Sequence, residues 1–474
     1  MRATAPCAIA SDQQTGRCAG GAASGGALLV AAALFMEYLD GTIIATALPH
    51  MAESFGVAAV QLNIGITAYL VAVGTVIPLS GWLAERLGSR RLFIAAMLLF
   101  ALASLGCAAS PTLATFVAAR IVQGIAAAMM TPVGRLLVLG DLPKRDLVHT
   151  VALLTWPALL APAIAPPLGG IIVENASWRW IFLLNLPLGL IGAIAAPRLL
   201  PGGSGDGKGR LDGSGFLLWA AASAGLVVLV GEAARLPRDV AIGLAMACIV
   251  LTVILVRHLR RAPSALFDLT TLRTRSFGHA VIGGSLVRMA ILANPFLLPL
   301  FLQIGLGFSA ARAGVLILIG MVGNIAMKFL TPQILTRYRY RTILLVNGTL
   351  LATGFAAFAF VGRGTSIEVT TALLIATGLC RSMHFTALNT LAFTDIPLSR
   401  MTHASTLFST AQQLNAALGV AVAGLAIEVS ALAHGRRVGL ADFHFGFLIV
   451  ALLAFGGTLD ALRLSPNQRT TFPR

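Results

Sequence analysis

Charged side chains that could carry protons or hold anions interrupt segments that are otherwise apolar. Glu37 and Asp40 stand in an apolar run at residues 27–49, and basic residues interrupt later runs at Arg120, Arg135, Arg288, Lys328 and Arg381. A charge in the middle of a lipid bilayer costs about 2.5–3.5 kcal/mol on insertion scales, so such residues are rarely kept without a function. A carboxyl group can carry a proton, and a guanidinium can pair with a carboxylate or bind an anion.

The two carboxyl groups of the first run are the candidates for proton transfer. Asp40 lies about 13 residues into a run of about 23, which puts it near the middle of a bilayer. We therefore expect Asp40 to be the main proton-carrying carboxylate. Glu37 lies three residues earlier on nearly the same helix face and is expected to share the task. A structural role for Asp40 stays open, either as a helix-helix hydrogen bond or as a salt bridge to Arg120.

The basic residues differ in depth. Arg135 and Lys328 lie toward the ends of their runs, where a long side chain can reach the membrane surface, so a structural role stays open for both. Arg120, Arg288 and Arg381 lie deeper and are expected to face the protein interior. Polar residues within the apolar runs form the predicted substrate cavity, namely Gln123, Arg288, Asn294, Gln303, Arg381 and Asn389.

The reactive residue types follow no pattern typical of catalysis or metal binding. The eight histidines are scattered, with only His384 deep in an apolar run, and the five cysteines form no CxxC pair. Residues 202–208 resemble part of a phosphate-binding loop, but Gly209 stands where a Ser or Thr is needed and no strand precedes it. We expect neither an enzyme nor a metal site, and no cofactor other than protons as the coupling ion.

These residues must be positioned by membrane-spanning helices. The mean hydropathy is +0.87, with 57% hydrophobic and 11% charged residues, which is too apolar for a water-soluble domain. Lipid offers no partner for an open strand edge, so apolar segments of about 20 residues cross it as helices. We predict an all-α polytopic membrane protein in contact with the lipid bilayer, with about fourteen spans near residues 27–49, 61–83, 92–110, 113–139, 150–173, 178–200, 214–234, 239–257, 279–303, 313–335, 342–361, 367–393, 403–433 and 445–464.

The positive charge of the chain indicates its orientation. The net charge is +16, from 34 Lys and Arg residues against 18 Asp and Glu residues. Alternate loops are rich in these basic residues, around 86–91, 144–145, 198–210, 257–275, 337–341 and 400. The loops between them keep only Arg179, Arg235, Arg238, Arg312, Arg363, Arg436 and Arg437. The positive-inside rule then puts both termini in the cytoplasm, with the chain in the cell inner membrane. The charge forms no aromatic-interleaved face, so nucleic acid is not an expected partner.

A polar, glycine-rich stretch at residues 201–215 divides the chain. Its composition is typical of a flexible linker. "AERLGSRRLF" after the second span has a counterpart in "LTRYRYRTIL" after the tenth, which suggests a repeat, and repeat-built bundles hold substrate at their interface. The predicted units are a cytoplasmic tail (1–24), a six-helix bundle (25–200), a cytoplasmic linker (201–215), a two-helix insert (216–262), a second six-helix bundle (263–465) and a cytoplasmic tail (466–474).

Several motifs follow one another along the chain. They are "LDGTIIATALP" (39–49), "GWLAERLGSRR" (81–91), "RIVQG" (120–124), "APAIAPPLGG" (161–170) and "WRWIFLLNLPLG" (178–189), joined by "HFTALNT", "TAQQLNAALGVA" and "FHFGF" in the second half. Together they resemble the major facilitator superfamily, in particular the fourteen-span drug:proton antiporters and, among these, the MdtD-like subgroup. The resemblance covers essentially all of the chain beyond residue 25. It implies the major facilitator fold, two six-helix bundles plus two extra central spans.

The loop motif implies a gate. Its residues are Gly81, Glu85, Arg86, Gly88, Arg90 and Arg91. The glycines permit close helix contact and a tight turn, and the arginines hold the loop in the cytoplasm. In the family, the acidic residue of this motif faces the N-terminus of a helix in the second half, where a carboxylate suits the positive end of the helix dipole. The resemblance implies that Glu85 lies against the start of the thirteenth span, near residues 401–405.

Two further motifs imply proton-coupled export. Pro162, Pro166, Pro167, Gly169 and Gly170 resemble the antiporter motif of the family, where prolines bend a helix and glycines let other helices approach. Arg120 resembles the residue that couples protonation to substrate binding, and Gln123, one turn away, is placed to share its hydrogen bonds.

The resemblance thus implies a proton-coupled antiporter that exports small molecules by alternating access, in the manner of multidrug efflux. We expect a monomer, and the sequence identifies no periplasmic adaptor. The alternative is an exporter of a small organic anion such as a carboxylate metabolite, because the deep ionisable groups are mostly cationic.

Overall fold

The structure of the protein is a computed structural model that describes residues 12–139, 144–202, 205, 207, 211–262, 265–435 and 437–464, without the side chains of 12–24, 144–149, 151, 152 and 398. Every regular element in these ranges is helical. The long helices are α1 Asp12–Phe55, α2 Asn63–Leu87, α3 Ser89–Ala109, α4 Leu113–Leu139, α5 Lys144–Asn175, α6 Trp180–Leu199, α7 Gly213–Gly231, α8 Arg238–Arg261, α9 Ser285–Gly305, α10 Ala310–Arg337, α11 Tyr340–Phe358, α12 Ile367–Phe393, α13 Met401–Ala433 and α14 Leu440–Asp460.

The helices match the predicted spans one for one. Among the described residues, thirteen helices are long and apolar enough to cross a membrane. The remaining one, α12, has 27 residues and is long enough, but Arg381 and His384 make it more polar. The predicted all-α membrane fold is confirmed. Several predictions fall on parts that the structure does not describe: the 466–474 tail, Cys7 and Cys18, and the side chains of Lys144, Arg145, Lys208, Arg210 and Arg436.

The helices form two bundles and an insert. In the first bundle α1 packs against α5 and α6, and α4 packs against α2 and α3. In the second, α12 lies between α10 and α11, and α9 packs against α13 and α14. The bundles meet mainly along two helix pairs, α2 with α13 and α5 with α10. Helix α7 packs against α2 and α13, whereas α8 packs against α7.

Two helix boundaries differ from the predicted domain limits. Helix α1 begins at Asp12, inside the segment predicted to be a tail, because its backbone hydrogen bonds extend toward the N-terminus beyond the apolar run that the prediction used. Helix α7 begins at Gly213, inside the predicted linker, because the Asp212 carboxylate caps it by accepting the Gly215 N–H at 2.8 Å. Burial opposes ionisation of Asp212, yet hydrogen bonds from Gly215, His258 and Leu266 hold its pKa below the ordinary value.

The loops gather at two ends of the bundles. We call the end with the α2–α3, α6–α7, α8–α9, α10–α11 and α12–α13 loops the basic end, and the other the far end. At the basic end, Arg90 donates to the carbonyls of Pro197 and Leu200 at 3.3 and 3.4 Å. At the far end, the rings of Phe55 and Trp178 pack with centroids 5.4 Å apart. Since successive loops alternate between the two ends and the long helices number fourteen among the described residues, α1 begins and α14 ends at the basic end.

Candidate functional site

A buried ion pair joins α1 to α4 in the first bundle. The Arg120 guanidinium donates from Nη1 to Asp40 Oδ2 at 2.6 Å, and both side chains are almost fully buried, Asp40 with 1% and Arg120 with 0% exposed surface. Two charges so far from water stay ionised only when each is paired and hydrogen-bonded. The salt bridge that the sequence left open for Asp40 is therefore present.

Two amides complete the shell around the Asp40 carboxylate. Gln123 Nε2 donates to Asp40 Oδ1 at 2.9 Å, and Asn185 Nδ2 donates to the same oxygen at 2.8 Å. Gln123 Oε1 in turn accepts from Arg120 at 2.7 Å, while Ser104 accepts from both amides. Gln123 thus shares the hydrogen bonds of Arg120 as the sequence indicated, but it lies in this network and not in the substrate cavity that it was also predicted to line. Asn185 and Ser104 were not predicted, and the only signal for Asn185 was its place in the 178–189 motif.

The Arg120 guanidinium is also held on its other sides. Its Nε donates to the Gly65 carbonyl at 3.4 Å, and its carbon lies 4.2 Å from the centre of the Tyr69 ring. A cation over an aromatic face is attracted by the ring quadrupole. Arg120 therefore ties α1, α2 and α4 together as well as balancing the charge of Asp40.

Glu37 lies one turn from Asp40 in a different environment. Its Oε2 accepts a hydrogen bond from Thr131 of α4 at 2.8 Å, and its exposed fraction is 8%, against 1% for Asp40. Arg135 lies close enough to bond Tyr38 and to act on the Glu37 charge, without the direct bond that Arg120 makes to Asp40. Glu37 is therefore the less tightly held of the two carboxyl groups.

A small cavity lies between the two bundles. Its volume is about 70 Å³, and its walls come from α1, α5, α9, α10, α11 and α12. Two of the predicted cavity residues, Asn294 and Arg381, line it. Arg381 donates to the Met321 sulfur at 3.0 Å, and the Asn294 Oδ1 is buried with no partner among the described atoms. The cavity therefore offers a guanidinium and an amide to a guest.

The other predicted cavity residues lie elsewhere. Arg288 is buried between the Phe408 and Phe385 rings, 4.7 and 5.5 Å from their centres, and donates to Asn389 at 3.1 Å. Gln303 donates to the Thr46 carbonyl at 3.2 Å and so joins α9 to α1. The sequence put these residues in membrane spans but could not indicate which way they face.

The loop motif lies at the basic end with a different set of contacts. Gly88 ends α2 with a positive φ of 84°, and the Glu85 carbonyl accepts the Gly207 N–H at 3.2 Å. The Glu85 side chain is exposed, and none of its recorded contacts with described residues involves 401–405. The expected placement of Glu85 against the start of α13 therefore stays a prediction.

The antiporter-motif residues lie where α5 meets its neighbours. Helix α5 continues through Pro162, Pro166 and Pro167. A Cβ at Gly169 would overlap Thr46 of α1, and one at Gly170 would overlap the backbone of Ala310 at the start of α10. The two glycines therefore permit the close approach that the motif predicted.

Within the part of the chain that the structure describes, no three His, Cys, Asp or Glu side chains come together as metal ligands would. The chemistry available at the site is proton transfer and ion pairing.

Comparison with known proteins identifies the family of the chain. Residues 30–420 match the Major Facilitator Superfamily. The chain is 38% identical over 427 residues to a protein of Pectobacterium carotovorum subsp. carotovorum that carries the multidrug-resistance name MdtD, covering 90% of this chain and 91% of that one. A Klebsiella pneumoniae protein of the same name is 38% identical over 431 residues, with 90% of each covered.

Solved structures share the fold at low sequence identity. The xylose transporter XylE from E. coli is similar with a TM-score of 0.62 at 13% identity, covering 94% of this chain and 100% of that one. A POT family transporter is similar with a TM-score of 0.67 at 15% identity, covering 93% and 95%.

Proposed function

Because this chain belongs to the major facilitator superfamily and is therefore a membrane transporter rather than an enzyme, we propose that it exports small molecules in exchange for protons. The proposed class is multidrug-type efflux, in keeping with the name of its relatives. The observation that carries the proton coupling is a buried Asp40–Arg120 pair with a second, loosely held carboxyl group one turn away. We propose a monomer that needs no cofactor beyond the coupling protons.

The contacts between the bundles support alternating access. At the far end α5 and α10 touch closely, since a Cβ at Gly170 would overlap Ala310 and one at Gly314 would overlap Pro166. At the basic end, a Cβ added at Gly81 of α2 would meet no atom within 4 Å, and the Glu85 side chain is exposed. This asymmetry fits a state that is shut at the far end and open at the basic end. Export requires a second state with the opposite asymmetry.

The distribution of basic residues between the two ends indicates the orientation of the chain. We propose that the basic end faces the cytoplasm of the cell inner membrane and that both termini lie there, because basic loops are retained on the cytoplasmic side. An alkaline phosphatase fused at Gly207 is then expected to be inactive, whereas one fused at Gly364 should be active. Activity of the Gly207 fusion would reverse the orientation.

Proton-driven exchange is tested directly in inverted vesicles. An inside-acid pH gradient is expected to drive accumulation of at least one compound from a panel of cationic, neutral and anionic molecules. Collapse of the gradient by a proton ionophore should abolish this accumulation. Accumulation that survives the ionophore, in vesicles that contain the purified protein alone, would contradict proton coupling.

Glu174 is expected to hold the far end shut. Its Oε1 accepts the Ala311 N–H at 2.8 Å, so a carboxylate of the first bundle caps a helix of the second. Glu174→Gln removes the charge from the positive end of the α10 dipole, worth about 0.3–1 kcal/mol, and should shift the population toward the far-end-open state by about two- to fivefold. Spin labels at Ala58 and Gly364 would report this as longer distances.

Glu53 supplies the control for Glu174, because it is an exposed carboxylate near the same end. Glu53→Gln should leave the distance distribution unchanged. An equal shift in both variants would mean that the far-end charge, and not the cap, sets the balance.

A small organic anion is the second candidate substrate, and Arg381 favours it. Arg381 lines the cavity between the bundles, and the described structure records a sulfur atom rather than a carboxylate as its partner. A carboxylate guest could accept two parallel hydrogen bonds from this guanidinium.

Arg381→Gln discriminates between the two substrate classes. Hydrogen bonds to charged groups contribute about 1.5–3 kcal/mol, so transport of an anionic substrate should fall by roughly ten- to a hundredfold. Transport of cationic compounds should be unchanged or faster. Arg381→Lys, which keeps the charge, should retain part of the anion transport. Unchanged transport of every compound by Arg381→Gln would remove the anion candidate.

A further inference from the structure

A second cavity lies away from the one between the bundles. It is a groove of about 440 Å³ between α2, α4 and α7. Its wall on α2 runs from Asn63 to Val76, which corresponds to about 20 Å of helix at about 1.5 Å per residue. This is about two-thirds of a hydrocarbon core of about 30 Å. The groove is therefore long and narrow, and parallel to the helices.

The groove is open to the lipid. Helix α7 packs against α2 and α13, α8 covers its other side, and among the described helices none packs between α7 and α4. Ile121 of α4 and Val228 of α7 line the groove and are 42% and 48% exposed. Side chains that line a gap of this size lack van der Waals contacts on one side unless a guest molecule fills the gap.

The walls accept an apolar guest. Most lining side chains are Ala, Val and Ile, and the hydroxyl groups among them are already hydrogen-bonded. Thr67 donates to the Asn63 carbonyl at 3.0 Å, and Thr75 lies 3.4 Å from the Ser223 hydroxyl. A hydrocarbon chain therefore fits the body of the groove better than any polar molecule.

The far end of the groove carries charge. Glu232, just after α7, is the one carboxylate among the lining residues. Arg235 pairs with Glu232 at 3.1 Å and with Glu428 of α13 at 2.7 Å. Two carboxylates share one guanidinium, so the three side chains carry a net charge of about −1 and attract a cationic head.

We propose that this groove binds one acyl chain of a phospholipid whose ammonium headgroup rests against Glu232 and Glu428, as in phosphatidylethanolamine. The bound chain completes the contact between the α7–α8 insert and the first bundle. A fluid hydrocarbon in this place lets α2 and α4 slide against α7 without opening a void. The lipid thus fills the groove as side chains would, but without making the contact between the helices rigid.

Native mass spectrometry of the full-length chain tests the proposal. The detergent-purified protein is incubated with phosphatidylethanolamine or phosphatidylglycerol at equal concentration. One phosphatidylethanolamine per chain is expected to remain bound, with at least threefold higher occupancy than phosphatidylglycerol. Equal occupancy by the two lipids would contradict the headgroup assignment and overturn the proposal.

Two variants locate the bound lipid. Ala220→Trp fills the groove from α7 and should remove the retained lipid, whereas Ala247→Trp, on the exposed face of α8, should not. The Glu232→Gln, Glu428→Gln double variant should keep a bound lipid but lose the preference for ethanolamine. Retention by Ala220→Trp equal to wild type, a dimer held together at this face, or displacement of the lipid by a transported compound would each overturn the proposal.

Discussion

Asp40→Asn is expected to destabilise the protein as well as to stop transport. The substitution leaves the Arg120 guanidinium with 0% exposure and without its ion-pair partner. Breaking a buried pair from one side costs about 3–5 kcal/mol, because the remaining charge is buried and uncompensated. The new amide oxygen could still accept from Gln123 and Asn185, which both donate to Oδ1, but the new NH2 group would then face the Arg120 Nη1 donor that Oδ2 accepts in the wild type. A markedly lower thermal unfolding midpoint in detergent, with lower abundance in the membrane, is the expected measurement.

The double variant Asp40→Asn, Arg120→Gln separates stability from transport. Removing both charges leaves no unpaired ion of this pair in the protein interior. The unfolding midpoint should therefore recover most of the loss caused by Asp40→Asn alone. Proton-driven transport should remain absent, because the coupling pair is gone. A single Asp40→Asn variant as stable as wild type would show that Arg120 does not depend on this carboxylate. Restored transport in the double variant would show that the pair serves only the fold.

Hydropathy is sufficient to locate thirteen of the fourteen long helices among the described residues, and α12, which carries Arg381 and His384, is the exception. A helix in lipid must be apolar over about 20 residues, so its position along the chain is visible without any knowledge of its neighbours. The ends are less visible. Helix α1 begins at Asp12 although its apolar run begins near residue 27, because apolarity marks where a helix enters lipid and not where its hydrogen bonds begin. Which helices pack together is also absent from a hydropathy profile.

The site could be predicted in its residue types but not in its pairings. Asp40 and Arg120 stand out because charges are costly in lipid, yet they are 80 residues apart and nothing local links α1 to α4. Ser104 and Asn185 give almost no signal, because single neutral polar residues are common in membrane helices. Helix α9 is largely buried and apolar on most sides, so its pattern did not show that Gln303 contacts Thr46 rather than a substrate.

Glu85 shows a different limit. Its expected contact with the start of α13 joins the two bundles, and in the proposed alternating cycle such a contact forms in only one of the two conformations. A sequence specifies both conformations at once, and a single structure records one of them. The contact therefore stays a prediction for the state in which the basic end is closed.

Glu37→Gln is expected to uncouple transport from protons while leaving the fold intact. Protonating Asp40 would strip Arg120 of its charge partner, whereas protonating Glu37 leaves no ion pair broken. We therefore propose that Glu37 carries the exchangeable proton, in place of the sequence-based expectation that Asp40 is the main proton carrier. The Asp40–Arg120 pair would then respond to the charge of Glu37. Gln keeps an oxygen that can accept the Thr131 hydroxyl, so the unfolding midpoint should stay close to wild type. Substrate-induced proton release from purified protein, measured with a pH-sensitive dye, should vanish.

Matched variants distinguish a missing proton site from a damaged helix. Glu37→Gln should still equilibrate substrate down its own gradient, since alternating access does not need the proton, but it should not concentrate substrate under a pH gradient. Glu37→Asp keeps an ionisable group and should retain measurable coupling. Thr131→Val removes the one described hydrogen bond to Glu37 and should move the pH profile of transport without abolishing it. If Glu37→Gln still concentrates substrate with wild-type proton release, the proton is carried by the Asp40–Arg120 pair, and its ion pair must open in each cycle.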